Sequence, residues 1–137
     1  MGRPAVNITA DTNLLVRALT GDDPRQSGLA KAELVRADNV ALTLTALCEV
    51  VWVLGRGYKF PRSQVAEAIG VLLNAENVVF DRPAVGAGLA MLAAGGDFVD
   101  GVIAHEGRWL GAAEFVSFDE AAVAALRAQG RAARVPA

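Results

Sequence analysis

The sequence predicts a three-layer α/β/α architecture with a central parallel sheet of four or five strands, formed by residues 1–137 as a single domain. Three observations predict it. Short β-compatible runs alternate with helical stretches along the chain, the order that parallel sheets with covering helices produce. The 137 residues are 53% hydrophobic and 20% charged, with a mean hydropathy of +0.34, enough apolar material for a buried core. No linker, internal repeat or low-complexity block divides the chain.

The elements follow in order. Val6, Ile8 and Ala10 alternate within Ala5 to Ala10 and read as a first strand. Thr12 to Thr20 is apolar at helical spacing and stops at Gly21-Asp22-Asp23-Pro24, and a second helix runs from about Arg25 to Ala37. Asn39 to Leu44 is a second strand. A helix from Thr45 to about Leu54 stops at Gly55-Arg56-Gly57, and Pro61 opens another through about Leu73. Val78-Val79-Phe80 is a third strand, followed by a helix from about Pro83 to Ala94 that closes on Gly95-Gly96. Asp97 is placed to cap a helix reaching about Trp109. Phe115 to Phe118 is a fourth strand, Glu120 to Gln129 the last helix, and Arg134-Val135 a short edge strand.

Composition narrows the function classes. Thirteen basic against fifteen acidic side chains give a net charge of −2, neither a polycation nor an acidic disordered tail. A single cysteine, Cys48, excludes a disulfide scaffold and a cysteine-based zinc site. The absence of a long apolar run or an apolar leader leads us to expect a cytoplasmic protein with no membrane partner. Gly55-Arg56-Gly57 and Gly95-Gly96 match no phosphate-binding or dinucleotide fingerprint, and there is no Gly-x-Ser-x-Gly.

The informative residues are charges inside apolar runs. Asp11 follows Ile8-Thr9-Ala10 directly. Glu49 sits within Leu47 to Leu54, the most hydrophobic helix of the chain, and is expected to be buried. Asp97 and Asp100 are one helical turn apart at a helix start, and Asp119 follows the fourth strand. Each acid lies just past the carboxyl end of a strand or early in the next helix, the edge where open parallel sheets bind ligands. If the first, second and fourth strands are close together, the acids converge. Two carboxylates about 5 Å apart repel by roughly 3 kcal/mol at an effective dielectric of about 20, so convergence calls for protonation or a cation. An all-oxygen donor set without His or Cys selects Mg²⁺ or Mn²⁺ over zinc.

Taken singly, each acid has a plainer reading. Asp97 and Asp119 are helix caps, Asp11 a turn former, and Glu49 a buried partner of Arg17 or Arg56. His105 reads as a helix-surface residue, Cys48 as a small buried hydrophobe, and Trp52 and Trp109 as packing residues.

Four segments in order resemble the PIN-domain nucleases and, within them, the VapC-type toxins of bacterial toxin–antitoxin pairs. They are Ala10-Asp11-Thr12-Asn13-Leu14-Leu15, Ala46 to Leu54 around Glu49 and Trp52, Gly96 to Ala104 around Asp97 and Asp100, and Val116-Ser117-Phe118-Asp119-Glu120-Ala121-Ala122. The resemblance implies that Asp11, Glu49 and Asp100 bind metal, with Asp119 a fourth acid and Asp97 an accessory one. It implies that Asn13 and Ser117 hydrogen-bond carboxylates or metal-bound water. The implied activity is Mg²⁺- or Mn²⁺-dependent endoribonuclease cleavage of RNA by metal-activated water, leaving 5′-phosphate and 3′-hydroxyl ends. Implied partners are a small VapB-like antitoxin covering the site and a second copy of the chain in a homodimer. Leu14, Leu15, Leu29 and Leu34 and the Trp52 to Leu54 stretch are candidates for apolar docking surface. Ser117 replaces the family's common Thr, and Glu120 stands where a base is common.

Other readings are a PIN nuclease of RNA processing without an antitoxin and a non-catalytic α/β binding module. A phosphohydrolase of the haloacid dehalogenase type needs an Asp where Asn13 stands. The five candidate acids also recast the charge balance, because the remaining ten acids face thirteen bases, eleven of them arginine. Arginine is the residue suited to forked phosphate contacts.

Overall fold

A computed structural model describes residues 2–137, a mixed α/β chain whose described elements are seven α-helices, one π-helical turn and five short strands. The chain divides into two compact units, one ending at Phe80 and the other Asp81–Ala137.

The first unit is built on a parallel sheet in the order β1 (Asn7–Thr9), β2 (Asn39–Ala41), β3 (Val78–Val79). Asn7 lies opposite Asn39, and Val40 opposite Val78. Parallel neighbours need crossover connections, supplied here by α1 (Thr12–Thr20) with α2 (Pro24–Arg36), and by α3 (Leu44–Trp52) with α4 (Arg62–Leu73). Leu15, Val40, Leu47, Val50, Leu54 and Ile69 are fully buried and form its apolar interior. Helix starts follow the sequence closely because short polar side chains take the orphan N–H groups. Asp11, Asp23 and Thr43 accept from the backbone N–H of Leu14, Gln26 and Ala46. Gly21, with φ of +67°, ends α1 in the left-handed conformation that glycine adopts without strain. The glycines after α3 do not stop the helix as expected. The chain widens instead into a π-helical turn over Val53–Gly57, closed by Tyr58 N–H donating to the Val53 carbonyl at 3.1 Å.

That turn delivers Tyr58 to the end of α1. Its hydroxyl donates to Asp22 at 2.6 Å, Thr20 Oγ1 donates to the same carboxylate at 2.9 Å, and Arg17 pairs with it at 3.0 Å. The Tyr58 hydrogen bond, followed by that of Thr20, holds the Asp22 carboxyl down at about 2. A depressed carboxyl stabilises the fold above its ordinary value of 3.8, and that contribution is lost as pH falls through about 2. Tyr58→Phe is expected to move the Asp22 titration upward, towards 3.8, as read by NMR of the carboxyl carbon. An unmoved titration would remove Tyr58 from this account.

The second unit comprises α5 (Arg82–Ala93), α6 (Phe98–Trp109), β4 (Phe115–Val116), α7 (Glu120–Ala128) and β5 (Ala133–Arg134). β4 and β5 pair in parallel with Phe115 opposite Ala133. Met91, Ala104, Ala122, Val123, Leu126 and Ala133 form one buried cluster, with Phe115 packed against it. α5 and α6 pack closely because glycine lines their seam. A Cβ at Gly88 would lie 2.6 Å from the Phe98 ring.

The expected sheet of four or five strands therefore takes the form of two parallel sheets, three-stranded and two-stranded. Helix caps take the residues that would have lengthened the strands. Thr43, just beyond β2, caps α3, while Ser117 and Asp119, just beyond β4, form the turn that opens α7. No helix of the described residues is long and apolar enough to cross a membrane.

Candidate metal site

In the first unit, Asp11 is exposed at the N-cap of α1, its Oδ1 committed to Leu14 N–H at 2.9 Å. Thr12, the next residue, donates from Oγ1 to Glu49 Oε2 at 3.2 Å and so joins the end of β1 to α3. Glu49 corrects an expectation, since it is exposed rather than buried. Within the apolar run of α3, Thr45, Glu49 and Trp52 recur at helical spacing and share the outward face. Trp52 is accordingly 62% exposed rather than packed. Neither arginine proposed as a partner is needed, because Arg17 pairs with Asp22 and Glu49 takes the Thr12 hydroxyl. Asn13 is exposed and lines an open cavity of about 290 Å³ with Asp11, Arg17 and Gln26.

In the second unit, Asp97, Asp100 and Asp119 each offer a carboxylate oxygen, and these oxygens all lie within 4.8 Å of one another. The first turn of α6 supplies Asp97 and Asp100, and the turn after β4 supplies Asp119. Asp97 corrects the cap reading, since it occupies the N-cap position but makes no side-chain cap bond. Asp119 does cap α7, with Oδ1 accepting from Ala122 N–H at 3.1 Å. Ser117 Oγ accepts from Asp119 N–H at 3.0 Å. It therefore fixes the backbone that carries the acid. Asp100 is half-buried. Burial, then the charges of Asp97 and Asp119, raise its carboxyl above the ordinary 3.8.

Thus three of the five candidate acids form one cluster in the second unit, and the other two stand beside Thr12 in the first. Sequence reasoning passed over Thr12. The available signal was a hydroxyl placed directly after a strand-end acid. Among the candidate docking residues, Leu15 and Leu54 are fully buried and unavailable, whereas Leu29 and Trp52 are exposed. Trp109 is 85% exposed, against the packing role expected of it, and Cys48 is partly buried. His105 is half-buried on α6.

The donor chemistry fits a hard divalent cation. Such ions take oxygen ligands at about 2.0–2.6 Å, so oxygens within 4.8 Å of one another are close enough to share one. The set contains no nitrogen or sulfur donor that would favour zinc. Comparison with models of known protein families gives no match, and a search of curated proteins gives none either.

Proposed function

We propose that this protein is a Mg²⁺- or Mn²⁺-dependent endoribonuclease of the PIN-domain kind, acting as the toxin of a type II toxin–antitoxin pair in the cytoplasm. The observation that carries the reading is the cluster of Asp97, Asp100 and Asp119 with unfavourable proximity built in. Like charges held together at a cost to folding are a mark of a functional site. The motif order around Asp11, Glu49, Asp100 and Asp119 supports the family reading, and a single three-layer α/β/α domain belongs to the same proposal.

When bound, a divalent cation of this class makes a water nucleophilic near neutral pH and polarises a phosphodiester. The chain's own residues prepare the position. Asp97, free of a capping bond, presents its carboxylate to the cluster. Asp119 is oriented by its bond from Ala122 N–H and by the Ser117 turn. Asp100 must be ionised to serve as a ligand, and its raised carboxyl makes that state sensitive to acid. In the first unit, Asp11 and Glu49 are the acids that the motif resemblance adds to the proposal. An antitoxin is the proposed partner, together with a second copy of the chain. An apolar cavity of about 530 Å³ in the first unit, lined by Leu34, Val40, Leu42, Val71 and Leu72, supports an apolar partner segment.

Two measurements test the reading. Mg²⁺ or Mn²⁺ at about 100 times its dissociation constant is expected to stabilise the fold by about 2.7 kcal/mol, seen as a raised Tm. Induction of the protein in cells, followed by mapping of new RNA ends, is expected to yield 5′-phosphate termini that vanish with Asp11→Asn. A Tm indifferent to both ions and a map unchanged by the variant would remove the proposal.

A further inference from the structure

The second unit contains a cavity of about 210 Å³ that none of the candidate acids lines. Ile103 and Ala104 of α6, Phe115 of β4 and Leu126 of α7 form an apolar wall, and Arg108 and Arg131 supply positive charge. The backbone around it is tied down. Arg131 N–H donates to the Leu126 carbonyl at 2.9 Å, and Phe115 N–H to the Ala132 carbonyl at 3.0 Å.

Arg3, Arg17, Arg36 and Arg134 form ion pairs with carboxylates, and Arg127 donates to the Ala133 carbonyl. Arg108 and Arg131 take part in none of these. Glu114, on the cavity rim, is held by Arg134 at 2.9 Å. Burial, then the charge of Arg108, pushes the Arg131 guanidinium below its ordinary value. Two like charges thus face one small space beside an apolar wall, with the nearby carboxylate committed elsewhere.

We infer that this cavity binds a terminal phosphate group, carried either by a free nucleoside monophosphate or by the 5′ end of an RNA. Charge selects the terminal phosphate. Two guanidiniums match a phosphate monoester, which approaches two negative charges at neutral pH, whereas a carboxylate or an internal phosphodiester carries one. Arginine's fork suits phosphate oxygens. The volume is below the ~300–1,000 Å³ of pockets for drug-sized ligands, and suits a phosphate with part of the nucleoside attached to it. The apolar wall then covers the sugar or base. The site is distinct from the acidic cluster, since Arg108 lies about 12 Å beyond Asp100 along α6. It does not depend on the nuclease reading.

The test is calorimetric titration of the full chain in EDTA, which keeps cations from the acidic cluster. AMP is compared with adenosine, and a 5′-phosphorylated RNA octamer with its 5′-hydroxyl counterpart. AMP is expected to bind at least about tenfold more tightly than adenosine, and Arg108→Ala/Arg131→Ala to abolish the preference, because charge-assisted bonds are lost. A matching preference for the phosphorylated octamer identifies an RNA end as the source, and a preference confined to AMP identifies the free nucleotide. Circular dichroism checks the fold. Should the double variant not fold, Arg108→Gln and Arg131→Gln, which keep side-chain bulk, are each expected to weaken AMP binding at least about fivefold. Equal binding within both probe pairs, or a preference that survives in folded variants, would overturn the inference. Absence of RNA cleavage would leave it intact.

Discussion

Asp100→Asn is expected to abolish metal-dependent RNA cleavage, by at least about a hundredfold, and at the same time to raise the Tm of the metal-free protein. The two effects have one cause. Burial and the charges of Asp97 and Asp119 oppose ionisation of Asp100, so its carboxyl is raised above 3.8. A raised carboxyl contributes stability that is fully present below its unfolded value, 3.8, and is lost as pH rises through its folded-state value. At neutral pH the wild-type chain has lost that contribution, and the neutral amide restores it. The Tm difference between variant and wild type should therefore be positive at pH 7 and shrink as pH falls towards 3.8. The size is modest because Asp100 is partly solvated. Mg²⁺ should reverse the order, stabilising the wild type and leaving the variant nearly unchanged. An aspartate present only to begin α6 gives the opposite sign, since its loss lowers the metal-free Tm. Retained cleavage by folded, Mg²⁺-loaded Asp100→Asn protein would sink the nuclease proposal.

Much of this site was legible in the sequence because its signals are local. Asp97 and Asp100 fall on one turn of α6, and Asp119 follows β4 directly, so spacing alone placed all three near strand or helix ends. Helix starts were legible for the same reason, with Asp11, Asp23, Thr43, Asp81 and Asp119 each accepting an N–H from its own first turn. Exposure of Glu49 was not legible. A run as apolar as Leu47 to Leu54 suggests burial all round, and only the packing of α3 decides which stripe faces water. Strand length was overestimated for a related reason. Apolar residues past β2 and β4 fit a strand, but the adjacent Thr43 and Asp119 use their side chains to start helices, and a cap ends a ladder.

The second unit's packing makes the other large prediction, that Gly101→Ala is destabilising by about 2–3 kcal/mol although alanine favours helix. Gly101 lies on α6 one residue after Asp100, against α5. A Cβ there would stand 2.5 Å from the Ala87 carbonyl oxygen, 2.7 Å from Met91 Cβ and 2.9 Å from Gly88 Cα. Two of these three atoms are backbone, so no rotamer change relieves the contact and the two helices must separate. The wild-type glycine gives up up to about 1 kcal/mol of helix propensity to let them approach. Gly86→Ala, on the exposed side of α5 with nothing within 4 Å of the added Cβ, is the matched control. It should gain about 0.5–1 kcal/mol. Thermal melts should thus show opposite signs for the same chemical change on α5 and α6, with Gly101→Ala lowering Tm by roughly 6–12 °C. Because α6 carries Asp97 and Asp100 in its first turn, displacement of the helix also disturbs the carboxylate cluster. The Tm rise produced by Mg²⁺ should therefore shrink in Gly101→Ala and persist in Gly86→Ala. Equal melting of the two variants would mean that the α5–α6 seam tolerates a methyl group, and the close approach would then have no part in holding the acids together.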